Sequence, residues 1–239
     1  MKAVKISAVL LAFGLLLSVF SGCGPKLSGE ELRETVKPLL VKSVRLNEIL
    51  FGDGLQAETS EARLARYFEA LNLTRETAAY LPVSSSSDYL SEEQITKAVR
   101  EVYAASYAEH LIRLAFYGIA PGDDDEVELG LVPVIYARYK TQDNVFANGD
   151  KVLCVRADAG EDAFPLADVS FDFDTVRAVG SGVINGTAYI RFTVDVSILD
   201  DGAEALRLNT EFRIVEEKGV WKLDSPTYFS RELIADEEN

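Results

Sequence analysis

The residues that most often do chemistry are scarce here: one histidine, His110, and two cysteines, Cys23 and Cys154, in 239 residues. Two thiols cannot staple a chain of this length, so no disulfide framework is expected. One histidine and two distant cysteines supply no transition-metal cage either. Basic residues are also short. Lys and Arg number 24 against 39 Asp and Glu, a formal charge of −15. That balance disfavours nucleic acid and anionic surfaces as direct partners, and the aromatic residues have no basic surround to form a nucleic-acid platform. There is no Gly-x-Ser-x-Gly elbow and no Gly-rich phosphate loop, and Glu109-His110 lacks the second histidine of a zinc-protease helix. No cofactor is implied. Missing too is an apolar run of the roughly 20 residues that a membrane-spanning helix needs. The longest, Ile6 to Phe20, has fifteen.

That run follows Lys2 and Lys5 and precedes small residues, the form of a secretory signal peptide over residues 1–22. Its end, Phe20-Ser21-Gly22-Cys23, resembles a bacterial lipobox, with Phe20 where leucine is commoner. The resemblance implies cleavage before Cys23 and lipid attachment to its sulfur. Palmitate-type chains partition at about 0.8 kcal/mol per buried methylene, so two or three hold a protein firmly. The implied location is the extracytoplasmic face of the cell membrane, or the outer membrane where the source has two. Gly24 in place of Asp means that the inner-membrane retention signal is absent. Removing 22 residues leaves 217, and losing two lysines takes the charge from −15 to −17. That length suits one sizeable core. Residues 23–27 read as a tether, 28–229 as a single α+β domain whose 28–75 part is helical, and 230–239 as an acidic tail.

Ser28 with Glu31 has capping-box form. Leu32, Val36, Leu39, Leu40, Val44, Ile49 and Leu50 follow at helical spacing, with a kink or break expected at Pro38. Glu58 to Leu71 reads as a second helix, with Leu64, Tyr67, Phe68 and Leu71 on one side. Ala78 to Val83 reads as extended, and Ser84 to Ser87 as a loop. Ser91 with Gln94 is a second capping box, opening one long helix with Ile95, Val99, Val102, Tyr103, Tyr107, Leu111 and Leu114 on a stripe that ends near Gly118. His110 borders that stripe. The acidic run Asp123 to Glu128 lacks the alternating ligands of an EF-hand and reads as a solvated loop.

From Leu131 the period changes to two. Val132–Lys140, Lys151–Ala157 and Ser170–Val179 read as strands, with Asn148-Gly149-Asp150 a turn and Asn185-Gly186 a tight hairpin. In Thr187 to Ile198, residues 188, 190, 192, 194, 196 and 198 are apolar and alternate with polar ones. Leu206 to Ile214 repeats this with 206, 208, 212 and 214 inward. Asp200-Asp201-Gly202 and Glu217-Lys218-Gly219 turn the chain, the latter into Val220 to Leu223. The expected fold is α+β: N-terminal helices on a long, curved, mainly antiparallel sheet, cone-like. Cys154, between Leu153 and Val155, reads as a small buried hydrophobe.

Helices followed by long hairpin-connected strands, closing on Gly219-Val220-Trp221-Lys222-Leu223, resemble the ketosteroid-isomerase-like (nuclear transport factor-like) α+β cone, with the cystatin-like fold a near relative. The likeness spans roughly Ala78 to Tyr228. Trp221 to Tyr228 is similar to the C-terminal signature of uncharacterised lipoproteins of Gram-positive gut bacteria. Tyr89-Leu90 before a central helix and a Trp on the closing strand give a weaker likeness to secreted inhibitors of cell-wall DL-endopeptidases.

Cone-fold enzymes place titratable groups on the inward face, and here the two central strands offer only apolar residues and Thr210. Asp172 and Asp174 should face water if Phe171 and Phe173 face in. The candidate pocket residues are Tyr107, His110 and Tyr136; the candidate partner face is Tyr189, Arg191, Arg207 and Arg213, with Thr193 and Asn209 in the same row. The expectation is a lipid-anchored extracytoplasmic interaction domain without catalytic activity, one version of which modulates a cell-envelope hydrolase. The alternative is a small-ligand binder or enzyme of the cone fold.

Overall fold

A computed structural model describes residues 25–118, 137–143, 151–157 and 166–231. Cys23, the acidic run at 123–128, Tyr136 with the rest of 132–136, the 148–150 turn and the tail from 232 lie outside the described residues.

Helix α1, Gly29–Leu50, starts where the sequence places it. Ser28 Oγ accepts from Glu31 N at 3.2 Å and Glu31 Oε2 accepts from Ser28 N at 2.8 Å, closing the capping box. Leu32, Val36, Leu40, Leu46, Ile49 and Leu50 form its buried stripe. Pro38 does not end the helix. Its ring is on the exposed side, so the Glu34 carbonyl that loses a donor can turn to water. The C-terminus is closed by residues distant in sequence. Tyr139 Oη donates to Ile49 O at 2.8 Å, and Arg138 Nη2 donates to Gly52 O. Gly54 sits at φ +79° under the Arg138 guanidinium, where a Cβ would lie 2.8 Å from Nε.

Helix α2 runs Glu61–Leu71, three residues shorter than expected at its start. Glu58 is withheld: its Oε1 accepts from Thr59 N at 3.0 Å and Ser60 N at 2.9 Å, and that local turn competes with helix. Leu64 and Tyr67 are buried, and Phe68 and Leu71 half-buried.

The single helix expected from Ser91 to Gly118 is two: α3, Glu92–Val102, and α4, Ala105–Tyr117. Tyr103 leaves the helix at ψ 149° and bridges Leu223 in parallel, and Ala104 N donates to Leu223 O at 2.8 Å. Glu217 Oε1 accepts from Ala105 N at 2.8 Å, supplying the cap that Ala104 cannot. Long-range pairing overrides a stripe that is continuous in sequence.

The strands form two antiparallel sheets. The small one has β3, Val152–Arg156, between β1, Tyr80–Pro82, and β2, Tyr139–Gln142. The large one is a meander of β4, Asp168–Ile184, β5, Thr187–Asp200, β6, Ala203–Glu217, and β7, Val220–Leu223. Its three turns, Asn185-Gly186, Asp201-Gly202 and Lys218-Gly219, all have positive φ at both positions, the two-residue turn matched to strand twist.

A two-residue turn pairs odd with even residues, yet β5 and β6 both carry their apolar set on even positions. The conflict is resolved by a bulge beyond Ile198–Leu206, after which Leu199 pairs with Glu204. Val196 then faces Leu208, and Phe192 faces Phe212 with ring centroids 5.8 Å apart. Residues 190, 192, 194, 196, 198, 212 and 214 are buried, and 188, 206 and 208 half-buried. Phe171 and Phe173 pack against the same core, which joins α1, α3, α4 and both sheets in one cluster. Asp174 is exposed, and Asp172 half-buried.

Candidate functional site

Among the described residues, polar side chains gather in a cluster inside the core and along the wet face of the large sheet. The inner cluster forms where α1, the α3–α4 break and the segment after β7 meet. Tyr103 Oη donates to Asn47 Oδ1 at 3.2 Å, and Asn47 Nδ2 donates to Thr227 Oγ1 at 3.0 Å. The two hydroxyls, 2.8 Å apart, close the ring; with the tyrosine proton on Asn47, Thr227 is the donor. All three side chains are buried, and Ser43 beside them donates to Leu40 O at 2.8 Å.

Tyr107 and Tyr228 extend the cluster. The Tyr103 and Tyr107 rings are 5.4 Å apart, and the Tyr107 hydroxyl is shut off from solvent beside Tyr228. Burial pushes the Tyr103, Tyr107 and Tyr228 phenols above their ordinary range; Thr227 hydrogen bonding opposes this at Tyr103, and Tyr107 does so at Tyr228. Nearby, burial also raises Tyr139, to about 12. These groups therefore stay protonated at neutral pH. They can donate and accept hydrogen bonds, but a neutral phenol so placed is a poor base or nucleophile. A cavity of 20 Å³ beside Asn47, Thr227 and Tyr228 is the size of one water.

Of the candidate pocket residues, Tyr107 is thus in the polar cluster. His110 is half-buried on α4, and Tyr136 is outside the described residues. Among the described residues, clefts of 230, 370 and 460 Å³ lie elsewhere, and neither Tyr107 nor His110 lines them. Asn47, Tyr103 and Thr227 are not legible as a unit in the sequence, since Asn47 and Thr227 are 180 residues apart. The faint signal was polar Ser43 and Asn47 on the buried side of an apolar stripe.

On the wet face, Tyr189, Arg191, Arg207 and Arg213 share one side of the sheet, as strand parity requires. Each arginine has a carboxylate. Arg191 meets Glu211 at 3.1 Å, Arg207 meets Asp172 at 2.7 Å and Asp195 at 3.1 Å, and Arg213 meets Asp224 at 2.6 Å. Asn209 donates to Asp195 at 2.6 Å; this bond, then Arg207, holds the Asp195 carboxyl below its usual range. Burial raises the Asp224 carboxyl against the opposing pull of Arg213. Tyr189 and Arg191 lie over Gly182 and Gly180, where a Cβ would come within 2.8 and 2.9 Å of them. The sequence shows the arginine row but not its neutralisation, which depends on register and on where the bulges fall.

Cys154 is buried as expected, its thiol pushed up to about 11 by burial. Among the described residues no cluster of His, Cys, Asp and Glu could hold a metal ion, and no helix is long and apolar enough to cross a membrane. Comparison with protein-family models, curated proteins and solved structures found no match.

Proposed function

We propose that the chain is a lipid-anchored, extracytoplasmic interaction domain that does no chemistry of its own. The anchor reading rests on Phe20-Ser21-Gly22-Cys23 and on the position of the first helix cap. From Cys23 to Ser28 an extended chain reaches only about 17 Å, so a lipid on Cys23 holds the domain against the bilayer. The non-catalytic part is carried by one observation: the inner cluster of Asn47, Tyr103, Tyr107 and Thr227 is made of an amide, phenols and a hydroxyl, all neutral, and the buried charged residues Glu58 and Arg138 lie outside it, engaged with the amides of Thr59 and Ser60 and with Gly52 O. Partner recognition then falls to the surface. The ion-paired sheet face suits a partner with matched charges of both signs better than a purely acidic one. Modulation of a cell-envelope hydrolase, in keeping with the likeness to endopeptidase inhibitors, is the most specific version.

Labelling cells with an alkyne-bearing palmitate analogue tests the anchor: wild-type protein takes the label and sediments with membranes, and Cys23→Ala does neither. Equal labelling of the two would remove the anchor. Purified domain added to cell-wall peptidases and amidases tests the hydrolase version, which unchanged rates across all of them would remove.

A second reading, a small-ligand binder, is favoured by the 460 Å³ cleft lined by Ser91, Glu92, Thr96, Thr141, Lys151 and Leu153, within the size range of ligand pockets. A ligand seated there raises Tm by mass action, and Thr96→Trp, filling the cleft, abolishes that rise. A compound screen without any stabilising hit would dispose of this reading.

A further inference from the structure

The two edges of the large sheet are finished differently. At β7 the chain between α3 and α4 closes the edge, through the Tyr103–Leu223 bridge and the bond from Ala104 N to Leu223 O. At β4 no described strand pairs with the outer edge. The last seven residues of β4 are Ala178-Val179-Gly180-Ser181-Gly182-Val183-Ile184, without charge or proline. Val179, Val183 and Ile184 are 46, 54 and 53 % exposed. Open edges in soluble proteins are usually blunted by charge, proline or a cover. None of these is present within the seven residues.

The direction of the free backbone groups follows from the turn. Ile184 and Thr187 flank a two-residue turn, so they exchange both hydrogen bonds, and bonded pairs alternate with unbonded ones along the ladder. Ser181 and Val183 therefore turn their N–H and C=O away from β5. The register shift between Ala178 and Gly180 leaves Val179 without a partner on β5. Ser181 and Val183 thus offer their backbone groups on one open edge, with Val179 beside them at the bulge.

We propose that Ala178–Ile184 pairs antiparallel with the same segment of a second copy, about a two-fold axis at Ser181. In that register Ser181 meets Ser181 of the second copy. Val179 of each copy meets Val183 of the other, so the exposed valines cover one another twice. Gly180 meets Gly182, with Arg191 and Tyr189 lying over them on the opposite face. Two chains of −15 repel, and this uncharged stretch is where their backbones can meet with the least opposition from like charges. The pattern is also self-complementary, since the valines stand two residues to either side of the axis. Two such short strands bury less than the roughly 1,200–2,000 Å² of a stable complex. The dimer is therefore weak and concentration-dependent, and crosslinking is the sensitive readout.

The test uses full-length protein carrying Ser181→Cys under mild oxidation. Hydrogen-bonded antiparallel partners have Cα atoms about 5.5 Å apart, inside the disulfide range of about 4.4–6.8 Å. Wild type sets the background from Cys23 and the buried Cys154. Lys97→Cys, exposed on α3, sets the yield from random collision. Ser181→Cys is expected to crosslink to itself well above both, and adding Val183→Lys lowers the yield at least about tenfold. In parallel, the sedimentation mass of wild type rises with concentration, while that of Val183→Lys does not. A Ser181→Cys yield equal to that of Lys97→Cys, or one indifferent to Val183→Lys, overturns the proposal. Crosslinking of Ser181→Cys to a different protein instead of to itself overturns it as well.

Discussion

The two faces of β5 and β6 carry opposite kinds of side chain, and stability is divided unequally between them. The inner face is apolar, and Ile190, Phe192, Val194, Val196 and Ile198 are buried to 2 % exposure or less. The outer face is a network of ion pairs whose arginines remain 46–49 % exposed. Side chains that look most purposeful in sequence, the arginine row, hold the fold least: exposed pairs are worth about 0–1 kcal/mol. Fully burying one large apolar side chain is worth about 1.5–3 kcal/mol. The cluster of Asn47, Tyr103 and Thr227 stands between these cases. Its hydrogen bonds add little beyond what water would give, but leaving one member unpaired in the core is costly.

The contrast can be broken most forcefully from inside. Phe192→Ala empties a site against Phe212 and is expected to cost about 3–5 kcal/mol, read from chemical denaturation. A loss under about 1 kcal/mol would mean that the inner face is not the core. Asn47→Leu comes next. It removes the amide that the Tyr103 and Thr227 hydroxyls share, for an expected loss of about 1–3 kcal/mol; an unchanged or raised midpoint would make the cluster dispensable. Arg207→Met comes last. With Asp172 and Asp195 half in water, the change should stay within about 1 kcal/mol and shrink further in high salt. A loss as large as that of Phe192→Ala would reverse the ranking of the two faces.

Much of the fold is legible because period-two patterning is local. The inward residues of β5 and β6, the three tight turns and the cap at Ser28 can be read without any distant contact, and all are found. What could not be read depends on distant pairing. Residues 103 and 104 continue a helical stripe, and only Leu223, some 120 residues on, pulls them out of it. Glu58 fits a helix start by composition, yet its carboxylate is taken by the amides of Thr59 and Ser60. The candidate site divides in the same way. Parity places Tyr189, Arg191, Arg207 and Arg213 on one face, but their carboxylate partners follow from register shifts. Tyr107 and Tyr103 share a stripe in the sequence, whereas their companionship with Tyr228 follows only from where the C-terminal segment packs.

The state of those tyrosines bears most directly on whether the domain does chemistry. Their folded-state pKa values are raised, so the stabilisation they carry is complete below the ordinary tyrosine value of about 10 and is lost as pH climbs through that value toward the folded one. Spectrophotometric tyrosine titration, run beside circular dichroism, follows both events at once. Tyr103, Tyr107 and Tyr228 should ionise only as the fold is lost in alkali, and Tyr103→Phe should remove part of that late phase. A tyrosinate signal near neutral pH in the intact fold, absent from Tyr103→Phe or Tyr107→Phe, would contradict a core of neutral hydroxyls.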